Sequence, residues 1–197
     1  MRIKSILPAG IPLAVLVLSG RVAMAQSAAD LRTGLNRHLV EHAFLAAAVT
    51  GAALGKRGSE AKAARTALDA NSRDLAHAIG AVYGDESGKA FLELWRQHIV
   101  FLVDYTRATG AGNRAMRDDA ARNLAGYAED FAAFLAAANP NLPEPVVADL
   151  IRTHVAGLTS LVDAQAAGAF DSAHVRLRGI AAHMQRIGDP LAAAIAR

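Results

Sequence analysis

The sequence predicts an all-α protein, a six-helix bundle built from three αα-hairpin repeats of about 56 residues, and three observations predict it. The chain is rich in Ala, Leu and Arg, poor in β-branched runs and free of cysteine, a composition suited to helices held together by packing alone. Gly and Pro punctuate it at Gly55, Gly84, Gly112, Pro140 and Gly168, dividing the apolar periodicity into six segments. The third observation is an interval. His42, His98 and His154 stand 56 residues apart, and Asn71, Tyr127 and His183 each follow one of them by 29 residues. A single ungapped interval that aligns three hairpins is the signature of an internal repeat.

Residues 1–25 read as a secretory signal: Arg2 and Lys4 give the positive start, Ile11 to Leu18 the apolar run, and Ala23-Met24-Ala25 a small-x-small cleavage site. The apolar run is shorter than the ~18 residues a spanning helix needs, so the expected product is exported, periplasmic or secreted, with no stable membrane insertion after cleavage. What remains, residues 26–197, suits one helical-bundle domain. Its first helix is expected over about Asp30 to Leu54, with Leu31, Leu35, His38, His42, Leu45 and Val49 along one stripe. Ser59 is expected to cap a second helix bearing Leu68, Asn71, Leu75 and Ile79, which Gly84 ends.

A third helix opens at Asp85, Glu86 and Ser87, carries Phe91, Leu94, Trp95, His98, Leu102 and Tyr105, and stops at Gly110-Ala111-Gly112-Asn113. The fourth, with Leu124, Tyr127, Phe131 and Leu135, closes at Asn139-Pro140, because the residue before a proline avoids the helical region. A fifth follows Pro143 and Pro145 with Val147, Leu150, Ile151, His154, Leu158 and Leu161. After a turn at Gly168, Asp171 or Ser172 is expected to cap a sixth with Leu177, Ile180, His183, Met184 and Ile187. At the 56-residue interval Leu35, Phe91 and Val147 coincide, as do Leu39, Trp95 and Ile151, and Leu75, Phe131 and Ile187.

The formal charge of +3 belongs to the leader. Arg2, Lys4 and Arg21 all precede the first acidic residue, and without them 18 of the 21 basic residues face 18 acidic ones. A balanced chain has no electrostatic footprint for nucleic acid, so that partner class is excluded.

Function must then come from the polar residues of the apolar stripes. His42 and Asn71 lie about equally far from the first turn, as do His98 with Tyr127 and His154 with His183, so three hairpins around one axis bring all six to one level. Two arrangements satisfy such a layer. Its members can hydrogen-bond one another and set the register of a metal-free bundle, whose outer surface then binds a partner protein. Alternatively, His42, His98, His154 and His183 are ligands of one ion. Histidines without cysteine suit zinc, copper, nickel or iron, with Asn71 and Tyr127 orienting the rings. His38, one turn before His42, makes an i,i+4 pair able to clamp an ion, although Leu94 and Leu150 hold the corresponding positions.

Other chemistries find little support. His77 and His174 fall off the stripes, and Asp171 with His174 is a single carboxylate-x-x-His pair where a ferritin-type di-metal bundle needs two. No covalent haem motif, Gly-rich phosphate loop or nucleophile context is present. Asp74, Asp104, Asp130 and Asp163 read as solvated faces. Enzymatic activity therefore ranks below metal binding and partner binding.

At Leu68-Asp69-Ala70-Asn71-Ser72-Arg73-Asp74-Leu75, Tyr83-Gly84 and Phe134-Leu135-Ala136-Ala137-Ala138-Asn139-Pro140, with the His98 and His154 helices, the chain resembles a family of small bacterial all-helical proteins with no established function. The resemblance spans most of residues 30–190 and implies helical hairpins. It implies no activity, and Tyr127 stands where the family has a second asparagine.

Overall fold

The computed structural model describes residues 13–195, with side chains from residue 29 onward. Six helices follow one another: α1 (Leu13–Leu54), α2 (Gly58–Tyr83), α3 (Asp85–Gly110), α4 (Arg114–Ala138), α5 (Glu144–Ala166) and α6 (Phe170–Ile195). No strand occurs among the described residues. The expected leader and its cleavage point fall on residues 1–12, outside the described residues, and on residues 13–25, whose side chains are not described. No helix among the described residues is long and apolar enough to cross a membrane.

The helix boundaries follow the Gly and Pro punctuation, with three differences. The first helix starts at Leu13 rather than near Asp30, because Leu13 to Gln26 contains no proline and is built mostly of good helix formers. Ser59 is not the cap of α2: the helix begins at Gly58, and Arg57 pairs with Glu60 across its first turn at 2.6 Å. The last helix begins at Phe170, ahead of Asp171 and Ser172, and runs past Pro190 to Ile195. Proline removes one backbone donor there. Asp189 beside it binds α1, its Oδ1 accepting from Asn36 Nδ2 at 2.8 Å and lying 3.3 Å from Arg32 Nε.

Short turns make the bundle up-and-down, each helix packing on the next and α6 closing the ring against α1. Gly84 alone joins α2 to α3 with φ +91°, a conformation costly for any side chain. The two helices then leave the turn nearly touching. A Cβ on Gly88 would lie 2.8 Å from the Ala76 carbonyl oxygen and 3.1 Å from the Gly80 Cα. Between α1 and α2 the left-handed position is filled instead by Lys56, at φ 56°.

Helices α1, α3 and α5 also touch one another, which places them at the centre, and α2, α4 and α6 lie outside them. The central helices meet in layers of three buried side chains. Leu35, Phe91 and Val147 form one layer, and Leu39, Trp95 and Ile151 the next. His42, His98 and His154 follow, then Ala46, Leu102 and Leu158, and then Val49, Tyr105 and Leu161. Apolar layers therefore flank the histidines on both sides along the bundle axis.

The residues that carry the family resemblance are structural ties. Asn139 donates from Nδ2 to Tyr83 Oη at 2.9 Å and to the Ala194 carbonyl at 3.0 Å, while its Oδ1 accepts from the Asn141 amide at 2.9 Å. It thereby joins the ends of α2, α4 and α6. Asp69 ties α2 to α3 through Arg96, whose Nε is 2.8 Å from Oδ1.

Candidate metal centre

Each histidine of the central layer arrives on its own helix, at the point where the apolar stripe faces the axis. His42, His98 and His154 are 0, 1 and 2% exposed, and one ring nitrogen from each lies within 4.8 Å of the other two. The Nε2 atoms of His42 and His98 are 3.2 Å apart. Two nitrogens bound to one tetrahedral ion at ~2.0–2.1 Å are about 3.3 Å apart, so this pair already has the separation of two ligands. His154 completes the triangle, its ring centroid 6.0 Å from that of His42 and 6.2 Å from that of His98.

Protein groups leave this layer unsatisfied. Among the described residues, His42 Nδ1, His98 Nδ1, both nitrogens of His154, Trp95 Nε1 and the Tyr127 hydroxyl are buried without a hydrogen-bond partner. A buried polar group without a partner costs about 1–3 kcal/mol, so the four histidine nitrogens and the two groups beside them carry a cost that a bound ligand would relieve. The only hydrogen bond within the triad joins His42 to His98.

The electrostatics favour the ligating form. Burial pushes the His42 and His154 pKa values down to about 3, and the neighbouring His42 and His183 rings add to the effect at His154. Burial likewise holds His98 well below the usual imidazole range, with repulsion from His42 and His154 acting in the same direction. Three neutral rings, each with one nitrogen within 4.8 Å of the others, are a donor set for a borderline transition metal. No carboxylate joins them in the cluster among the described residues.

Aromatic side chains wall the centre on one side. The Trp95 ring centroid lies 4.6 Å from that of His98 and 4.8 Å from that of His42, and Phe91 stacks on Trp95 at 5.3 Å. Tyr127 leans on His98 at 4.9 Å. His154 also lines a groove of about 310 Å³ between α5 and α6.

The remaining polar residues expected in the layer lie elsewhere. His183 is half-buried at the side of that groove and donates from Nε2 to the Leu150 carbonyl at 2.9 Å. Asn71 donates from Nδ2 to the His38 carbonyl and to Glu41 Oε2, each at 3.0 Å. These two bonds from an outer helix to a central backbone carbonyl span 33 residues each and lie 112 residues apart in the chain. The His38 side chain faces away from the triad: Nε2 accepts from Arg37 at 3.0 Å, and Nδ1 lies 3.7 Å from Glu41 Oε2. His77 and His174 are exposed.

Sequence reasoning missed two participants. Trp95 reads as an ordinary apolar position, but it lies one turn before His98 on the same face, and that i,i+3 relation is the signal that places its indole beside the triad. Glu41, which anchors Asn71, has no such signal. No family model matches the chain, and no curated protein or solved structure matches it either.

Proposed function

We propose that this is an exported helical-bundle protein that binds one transition-metal ion through His42, His98 and His154, as a buffer, carrier or sensor. The observation that carries the reading is the convergence of three neutral, fully buried imidazoles, most of whose nitrogens find no partner in the protein. A threefold hairpin repeat accounts for how the centre is made, because one histidine per hairpin at one register position supplies three ligands on an axis. Export accounts for the leader-like start of the chain, and a bundle without cysteine holds its ion in a way that oxidising conditions do not disturb. Zinc, copper, nickel and iron all accept this donor set. The reading rests on neither His38 nor His183.

Metal analysis of protein purified without a histidine tag, after incubation with zinc, copper, nickel and iron salts in turn and removal of excess, tests it. One equivalent of at least one metal, lost in His98→Ala, is expected. Only trace metal in every case would favour the metal-free reading, in which the outer surface binds a partner protein.

A further inference from the structure

Resting on the metal reading, we propose that the ion held by the triad keeps an open coordination position, and that a small monovalent anion reaches it through the groove between α5 and α6. The donor count comes first. Three protein nitrogens converge, and zinc or copper completes its shell with at least one more ligand. His183, the further imidazole named by the sequence, is held by its Nε2 on the Leu150 carbonyl, which leaves the fourth position to a ligand from outside the protein.

Charge selects the kind of ligand. Three neutral imidazoles leave the full charge of a divalent ion in the interior, with no carboxylate in the cluster among the described residues to offset it. An uncompensated buried charge is expensive, and an anion at the fourth position reduces it. Two buried donors beside the His98 ring are available to that anion. The Trp95 indole N–H can only donate and the Tyr127 hydroxyl donates readily, both are buried without a partner, and both rings pack on the His98 ring.

The groove supplies the route. His154, Ser160, Arg176 and His183 line it, with no carboxylate among the lining residues. Arg176 donates from Nη1 to the Ser160 hydroxyl, which holds its charge over the opening. A cationic approach without acidic residues concentrates anions rather than metal cations. Its width depends on small residues: a Cβ on Gly179 would meet nothing within 4 Å, and Gly157 lets Ile180 lie against the α5 backbone. A volume of about 310 Å³ gives free passage to an anion of three or four heavy atoms, such as azide or a small carboxylate.

Azide titration of the untagged, copper(II)-loaded protein, followed by absorption and stopped flow, is the test. A saturable azide-to-copper charge-transfer band is expected. Arg176→Ala should keep one copper per chain but weaken azide binding about tenfold, and Gly179→Leu should keep both copper and final affinity while slowing azide association by about tenfold or more. Copper bound one-to-one with no azide band, or azide affinity and rate unchanged in both variants, would overturn the open position and its route while leaving the metal site standing. Failure to bind copper, zinc, nickel or iron at all would overturn the metal reading and this proposal with it.

Discussion

The Nε2 atoms of His42 and His98 are 3.2 Å apart at the centre of the bundle, although the residues are 56 positions apart in the chain. One neutral ring donates to the other, and both Nδ1 atoms stay without a partner. His154 beside them has no partner for either nitrogen. This arrangement costs the metal-free protein stability, and on the proposed metal reading a bound ion would restore it.

Acid exposes that cost first. The folded-state pKa values of His42 and His154 lie near 3, and that of His98 is also lowered, whereas the unfolded chain takes up protons near pH 6.5. Below that pH the unfolded state binds more protons than the folded one, so stability falls as pH drops from about 6.5 toward 3. Metal-free protein should lose on the order of 2 kcal/mol per histidine between pH 7.5 and pH 5 in urea unfolding. A midpoint that does not move across this interval would show that the rings are not held neutral by burial.

Tyr127 and Tyr105 should respond oppositely to the same change. The Tyr127 hydroxyl is buried without a partner, so Tyr127→Phe should leave the metal-free protein as stable or raise it by up to ~1 kcal/mol. Tyr105 donates to Asp163 Oδ1 at 3.0 Å, and Tyr105→Phe should cost about 1 kcal/mol. Denaturant midpoints of the two variants decide, and a large loss in Tyr127→Phe would mean that the hydroxyl has a structural partner.

Two glycines make a matched pair for the packing. Gly88→Ala drives a Cβ to 2.8 Å from the Ala76 carbonyl oxygen, forces α2 and α3 apart, and should cost about 1–3 kcal/mol. Gly126 on α4 is exposed with nothing within 4 Å of a Cβ, so Gly126→Ala should gain up to ~1 kcal/mol from helix propensity. Thermal unfolding of both variants checks the sign of each, and equal effects would refute the close crossing at Gly84.

Much of this arrangement was legible in the chain, and the limits have a physical cause. Apolar spacing and turn residues locate six helices because burial of a stripe and termination at Gly or Pro are local properties. The histidine triad was legible because residues at one register position of equivalent helices share both a level and a direction. Asn71 and His183 share the level alone. They sit on outer helices, and counting residues from a turn gives height along the bundle but not rotation about each helix, so their side chains reach the carbonyls of His38 and Leu150 instead of the axis. Trp95 escaped notice because nothing in an apolar pattern reveals whether an indole N–H finds a partner.

Thermal unfolding of His98→Ala and His77→Ala beside the parent protein, each with and without saturating metal, tests the central claim most directly. His98 is in the triad and His77 is exposed on α2. Metal at 100 times its dissociation constant adds about 2.7 kcal/mol to any form that binds it. The parent and His77→Ala should therefore gain the same rise in melting temperature on metal addition, and His98→Ala should gain none, so its deficit relative to the parent widens when metal is present. An equal deficit of His98→Ala with and without metal would contradict a metal centre at His42, His98 and His154.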